Sequence, residues 1–441
     1  MPCSTLLPVL LLAAAGSAPP AWPQWRGPLG TGEAPGADPP VRWSATENVR
    51  FEVELPGKGH STPVVVGDLL IVTTAVPYGP PFAPAPFNVP PEHDNVGVTR
   101  RHRFQVLALD RRDGRVVWTT TVREAVPRAG GHVTASLASA SPVTDGRLVV
   151  ASFGSHGLFA LDLEGNVVWE KDLGPMRPKH EHGVGASPAL ARGTVVVNRD
   201  HEGESAVVAL ALETGEERWR ATRDEGTSWS SPLVVESGGR ALAVVNGTRR
   251  VRAYDLETGA VAWSAGGLSQ NVCATPVAGR GLVVVGSSYE KRAMFAVRLD
   301  GAEGDVTGTD QVAWFRTRRT PYVPSPLLYG DALYFLGHYQ GVLSRVDVAT
   351  GAEPTGPFRL DGIYDVYASL LGAADRVYVV GREGTTVVLS HAAEPEVLAV
   401  NVLDDVFSAS PVAVGRVLYL RGERALHALE TEAPPPPARD G

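Results

Sequence analysis

One short phrase recurs down this chain and constrains its fold more than any other feature. In Ser141-Pro142-Val143-Thr144-Asp145-Gly146-Arg147-Leu148-Val149-Val150 a proline opens an apolar strand, a tight turn follows, and a second apolar strand begins. Proline is tolerated as the first residue of a strand, where no ladder donor is lost. The same mark returns at Thr62-Pro63, Ser187-Pro188, Ser231-Pro232, Thr275-Pro276, Ser325-Pro326, Ser369-Leu370 and Ser410-Pro411. The eight copies are spaced 79, 46, 44, 44, 50, 44 and 41 residues apart. A period near 44 with strand-like content is the length of one four-stranded propeller blade. The long first interval is explained by a Pro-rich insertion at 76–103.

Within a unit the second run is apolar, as in Leu69-Leu70-Ile71-Val72, and the third resembles Val106 to Asp110. A second turn carries Asp-Gly or Thr-Gly, at Asp113-Gly114, Thr214-Gly215, Thr258-Gly259 and Thr350-Gly351, where glycine supplies the positive φ of a tight turn. The fourth run ends in tryptophan at Trp118, Trp169, Trp219, Trp263 and Trp314, five of the nine in the chain. A ring repeated at one position fills the wedge between neighbouring blades, burying roughly 150–250 Å². In the sixth unit Phe358 or Leu360 stands in for it, and the seventh has Leu370 where the others have proline. The eighth unit stops after its third run, at Leu429, and Val49 to Leu55 offers the missing strand with Phe51 in the tryptophan place. The expected fold is therefore all-β: an eight-bladed propeller of four-stranded antiparallel blades over 48–432, its last blade closed by the N-terminal strand. Closure removes exposed sheet edges.

The flanks read differently. Residues 1–21 resemble an export signal: Leu6 to Ala15 is apolar but too short to span a bilayer, and small residues follow, although Met1 to Thr5 carries no Lys or Arg. An apolar leader without that role is the alternative. Residues 22–47 form an irregular arm expected to pack the tryptophans of Trp22-Pro23-Gln24-Trp25-Arg26-Gly27-Pro28 on the main body. Residues 433–441 form a Pro-rich tail expected to be disordered. Removal of the leader would leave Cys273 as the only cysteine, so no internal disulfide is expected. The expected location is exported, periplasmic or extracellular, and the expected state monomeric. A net charge of −8 argues against a nucleic-acid partner, which needs a basic face.

In a meander blade the turns after the first and third strands lie on one face and are short here. The loops after the second and fourth strands lie on the other face and are long. Function resides on loops held by a rigid scaffold. That face is expected to hold His60, His132, His180, Glu181 and His182 ahead of first strands; His156, His201, Glu202 and His338 between second and third strands; and His93 and His102 in the insertion. Further round it carries Asp224, Glu225, Trp229, Asn271, Cys273, Tyr322, Asp365, Tyr367, Asp404 and Asp405. His180 and His182, alternating on an extended loop, could share a divalent metal with His60, His132 or an acid. The alternative is a polar loop bonded to the channel rim. Asp365, Asp404 and Asp405 could bind a cation or act as a base, or simply cap loop backbone. Trp229 could stack on a planar ligand. Cys273 reads as a small buried residue, and neither Ser155-His156 nor Ser228 has a nucleophile's setting. The insertion reads either as a lid over the channel mouth or as a surface loop.

The Ser-Pro-Val-x-x-x-Gly strand pair followed by Ala-Leu-Asp-x-x-Thr-Gly-x-x-x-Trp resembles the pyrroloquinoline-quinone (PQQ)-like β-propeller repeat over about 48–432. Trp22 to Gly27, Ser152 to Gly157 and His180-Glu181-His182-Gly183-Val184-Gly185 are similar to a secreted bacterial subgroup of that family. The resemblance implies one of two functions. Quinoprotein alcohol and sugar dehydrogenases bind PQQ and calcium in the channel, typically beside an adjacent cysteine pair, which this chain lacks; it also has no Cys-x-x-Cys-His haem motif. The periplasmic scaffold of outer-membrane protein assembly binds partner chains without a cofactor; Cys3 precedes the apolar run and is misplaced for its lipid anchor. The expectation is a non-catalytic binding module with no cofactor, taking a protein, peptide or polymer at the long-loop face. The alternative is a PQQ- or metal-dependent oxidoreductase.

Overall fold

In the computed structural model, which describes residues 21–84, 94–338 and 340–431, eight four-strand meanders form the predicted ring. The export segment and the Pro-rich tail lie outside these residues, apart from Ala21. Blade 2 shows the pattern, with Val143–Thr144, Leu148–Ser152, Leu158–Asp162 and Val167–Lys171 paired antiparallel from the channel outward. Its two middle strands are almost wholly buried because each is covered on both faces by neighbouring blades. The outer strand alternates, with Trp169 inward and Val167, Val168 and Glu170 exposed. Blade 8 is composite: Val412–Val414, Val417–Arg421 and Ala425–Glu430 are completed by Val49–Glu54, in register Phe51 to Ala428 and Glu54 to Ala425.

Eight hydrogen bonds explain the Ser/Thr of the repeated phrase. The backbone N–H of Thr62 donates to Ser141 Oγ (2.9 Å), Ser141 to Ser187 (2.9 Å), Ser187 to Ser231 (2.8 Å) and Ser231 to Thr275 (3.2 Å). Thr275 donates to Ser325 (2.9 Å), Ser325 to Ser369 (2.9 Å), Ser369 to Ser410 (3.0 Å), and Ser410 back to Thr62 Oγ1 (3.1 Å). Each blade thus hands one donor to the next, and the eighth hands it to the first. All eight residues are buried, so no water can substitute. The ring includes Ser369, which lacks the following proline; the hydroxyl, not the proline, does the joining.

A second contact closes the outer wedge. The indoles of Trp118, Trp169, Trp219 and Trp314 donate Nε1–H to Leu163, Leu212, Leu256 and Val348 of the next blade, at 2.7–2.8 Å. Their rings lie on the turn glycines Gly165, Gly215, Gly259 and Gly351, and Phe51 lies on Gly114 in the same way. Each glycine has positive φ, and a Cβ there would stand 2.6–2.7 Å from the ring, so no other residue fits. Trp263 departs from the pattern. It is fully buried but its Nε1 has no partner among the described residues, and here the longer third turn of blade 5 folds back and lays Gly304–Asp305 parallel to Trp263 and Ser264. This fifth strand accounts for the 50-residue interval. In blade 6 the outer strand shrinks to Phe358–Arg359, with Leu360 buried beside it.

The arm at 22–47 does more than pack its tryptophans. Trp22 pairs with Val65 of blade 1, and Pro23 O accepts Thr144 N–H of blade 2. Trp25 Nε1 donates to Ser410 Oγ, a member of the hydroxyl ring. Gly32 and Ala34 exchange backbone bonds with Gly372, and Thr31 O accepts Leu328 N–H. Arg26 is buried across from these contacts and donates to Leu370 O (2.8 Å), Thr31 O (2.9 Å) and Pro326 O (2.7 Å). Burial pushes its guanidinium down to about 9. The arm therefore crosses the channel at the short-turn face, tying blades 1, 2, 6, 7 and 8 together. Trp43 then stacks on Tyr378 before the chain enters blade 8.

Candidate functional site

With the arm closing one face, the long-loop face is the open side of the channel. The insertion is more ordered than a simple loop: Leu69–Tyr78 and Arg101–Asp110 pair over ten positions, out to Tyr78 and Arg101, so the blade-1 hairpin stands above the others. On its way back the chain at Asn95–Val96 pairs with Gly131–His132. Asn95 Nδ2 donates to His180 O (2.7 Å), and Asp94 O accepts Val133 N–H (2.8 Å). The described part of the insertion is thus bonded to the loops ahead of blades 2 and 3; His93 lies outside the described residues.

Loops from several blades interlace beside it. Trp229 Nε1 donates to Gly183 O (2.8 Å), and Trp229 N–H to Val272 O (2.8 Å). Lys179 N–H donates to Thr227 Oγ1 (2.8 Å), which in turn bonds Glu202 (2.8 Å). His132 Nδ1 bonds Thr134 Oγ1 (2.7 Å), and Thr134 reaches Tyr367 OH (3.2 Å) ahead of blade 7. The Arg382 guanidinium lies 4.7 Å from the Tyr367 ring centroid and pairs with Asp365 (2.8 Å). Beneath and beside this roof lies a cavity of about 410 Å³, between the insertion and blades 1 to 4. Its apolar wall includes Val96, Phe153, Met176 and Val184; its polar wall includes Lys58, His156, Arg199 and Asp200. The volume falls within the usual range of small-ligand sites.

The candidate histidines divide by role. His132, His180 and His182 gather, with ring centroids 5.0 Å and 5.4 Å apart about His182, and Trp229 lies 6.5 Å from the His182 ring. His60 turns instead to Glu423, 3.3 Å from its Nε2. Among the described residues no three His, Cys, Asp or Glu side chains gather to hold a metal ion. Cys273 is the one cysteine among the described residues. His156 is structural: it stacks on Phe104 at 4.3 Å, and its Nε2 accepts Arg128 N–H (3.2 Å). Burial, with Arg128 and Arg123 nearby, pushes it down to about 4, so it is neutral. His201 Nδ1 accepts Arg177 N–H (3.3 Å), and burial beside Arg199 lowers its pKa as well. Asn271 is buried, and its carbonyl receives the Cys273 thiol at 3.6 Å. Burial pushes that thiol up to about 12, leaving it unreactive.

The aspartates divide likewise. Asp404 is exposed and pairs with Arg424 (3.2 Å). Asp405 is buried and caps backbone, accepting from Val406, Arg424 and Ala425 N–H. Two groups absent from the sequence-based expectations define the polar wall. Asp200 is held by Arg223 through two bonds (2.7 and 3.1 Å), with both side chains fully enclosed. Ser228 Oγ adds a bond of 2.7 Å to Asp200, and Tyr254 OH accepts from Arg223 (2.8 Å). Burial opposes the Arg223 charge, but Asp200 outweighs it and holds the guanidinium firmly protonated. This buried pair anchors the loop that presents Trp229. Beside it Arg199 lines the cavity, 4% exposed, and the one protein acceptor for its guanidinium among the described residues is Gly174 O (3.1 Å). The only available signal was Asn198-Arg199-Asp200 ending a strand of valines.

The family model described as outer membrane protein assembly factor BamB matches residues 40–204 and 203–432. The chain belongs to this family. No curated protein matches it. Among solved structures it is similar to BamB from Moraxella catarrhalis, with 14% identity, a TM-score of 0.52, and coverage of 82% of this chain and 99% of that one. It is also similar to quinohemoprotein alcohol dehydrogenase ADHIIG from Pseudomonas putida HK5, with 12% identity, a TM-score of 0.55, and coverage of 91% and 82%. The computationally designed Ika8 protein matches at 11% identity and a TM-score of 0.54, over 85% and 98%. At such identities these likenesses establish the propeller fold alone. No helix among the described residues is long and apolar enough to cross a membrane.

Proposed function

We propose that this member of the assembly-factor family is an exported, non-catalytic binding module whose partner, a segment of protein, peptide or polymer, enters the cavity on the long-loop face. The supporting observation is the pairing of a closed face with an open one. The arm crosses the channel at the short turns, and a cavity of about 410 Å³ lies under interlaced loops at the other end. Side chains lining it, and Cys273 outside it, support binding over catalysis. His156 and Asp200 are committed to protein contacts, and the Cys273 thiol is held protonated by burial. Enclosure by rigid loops with a few fixed polar groups is the usual design of a recognition site.

Filling the cavity tests the reading. Gly185 lines it with φ outside the left-handed region, and a Cβ there would stand 3.7 Å from Ser139 Cβ, so a larger side chain can be carried. Compounds from a fragment library that raise the Tm of the wild-type protein are expected to lose that effect on Gly185→Phe. Hits that bind both proteins equally would place recognition elsewhere. The non-catalytic part is tested separately: reduction of an artificial electron-accepting dye after addition of PQQ and calcium would replace it with an oxidoreductase.

A further inference from the structure

The cavity's charge is at odds with the charge of the molecule. The chain carries a net −8. Among the described residues, the cationic side chains lining the cavity are Lys58, Arg100 and Arg199, and the only acid is Asp200. That acid is spent on Arg223. Arg199 is the deepest of the cations and has no carboxylate within ion-pair distance among the described residues. A buried guanidinium without a counterion is costly, because desolvation is not returned by pairing. The other two buried arginines without acids lean on backbone carbonyls, although the Nε of each has no partner among the described residues. Arg26 has three carbonyl acceptors, and Arg421 has Ser61 O (3.0 Å) and Thr73 O (2.7 Å) with Ser61 Oγ. Arg199 has a single carbonyl, leaving most of its five donors without an acceptor among the described residues. The cavity wall also carries the apolar Phe153, Leu158 and Met176, while Arg220, Asp172 and Arg128 act on Arg199 through their charges.

We infer that the cavity accepts a carboxylate attached to an apolar body, with Arg199 as the group that binds the carboxylate. A planar guanidinium grips a carboxylate through two parallel bonds, and does so best where water is excluded. The apolar body then lies against Phe153, Met176 and Val184. Two sources share this chemistry: a free organic acid and the C-terminus of an apolar peptide. The inference rests on the cavity being the binding site proposed above.

The test uses the full chain and titration calorimetry. The probes are decanoate, 4-biphenylcarboxylate and an apolar hexapeptide with a free C-terminus, each beside its own primary amide. At least one acid is expected to bind about ten- to a hundredfold tighter than its amide, as for hydrogen bonds to a charged group. That preference is expected to vanish in Arg199→Gln, with circular dichroism confirming the fold. The acid–amide comparison in the wild type needs no variant, so a misfolded Arg199→Gln leaves the test intact. A preference confined to the peptide, or to the small acids, identifies the source. Equal binding of acid and amide, lost in Gly185→Phe, would overturn the inference and leave the cavity reading standing. No binding of any probe to the wild type would overturn the inference; uncharged hits from the fragment library that are lost in Gly185→Phe would then still support the cavity.

Discussion

Removing one hydroxyl from the ring at the channel tests whether those eight bonds hold the propeller closed. Ser325→Ala deletes the acceptor of the Thr275 N–H, now 2.9 Å away, while the Ser325 N–H keeps its own bond to Ser369. Ser325 is fully buried and Thr275 nearly so, so the freed donor meets no water. A buried donor left unsatisfied costs about 1–3 kcal/mol, which is roughly a 5- to 150-fold change in a local opening equilibrium. A chain of eight blades need not unfold in one step, so a global melting curve is a poor reporter. Amide hydrogen exchange at Thr275 reads the local equilibrium directly. Its protection is expected to fall by that factor in Ser325→Ala. Ser325→Thr keeps the acceptor, as Thr62 and Thr275 do in their own blades, and is expected to retain most of the protection. If the alanine and threonine variants exchange alike, the hydroxyl is not what joins blade 5 to blade 6.

Other perturbations separate the remaining contacts. Gly165→Ala combines a positive φ with a Cβ 2.7 Å from the Trp118 ring, and should destabilise by about 1–3 kcal/mol with a shift in tryptophan fluorescence. Asp200→Asn or Arg223→Met alone breaks a fully buried pair and should cost about 3–5 kcal/mol; the double variant should recover part of it, as a denaturant-based mutant cycle can measure. His156 is held neutral in the fold, with its pKa pushed down to about 4 from an ordinary 6.5. The unfolded chain therefore takes up the proton first as pH falls. Stability is complete above about 6.5 and declines by about 3 kcal/mol between 6.5 and 4. His156→Gln, which keeps an acceptor for Arg128 N–H, should flatten that part of the stability–pH curve.

Periodicity carried the architecture. Eight copies of one phrase, five tryptophans at one place and a unit lacking its last strand sufficed to read an eight-bladed ring closed by Val49–Glu54. Each of these is a local pattern repeated, and repetition makes weak local preferences add up. The repeat was nevertheless marked by its proline, whereas the physical joint is the hydroxyl before it, which Ser369 keeps without a proline. The candidate site was legible only as a face. His132, His180, His182 and Trp229 do lie together, but largely as loop contacts, and His60 turns away to Glu423.

What the sequence alone determined is therefore what one blade repeats: strand length, turn chemistry, the wedge aromatic and the closing strand. What only the tertiary structure decided is what differs between blades. Arg26 reaches Pro326 and Leu370 three hundred residues away, Thr134 meets Tyr367, and Arg199 is buried beside an acid already taken by Arg223. No spacing along the chain encodes these contacts. They exist because closing the ring brings distant loops over one channel, where each side chain's charge is set by how deeply its neighbours bury it.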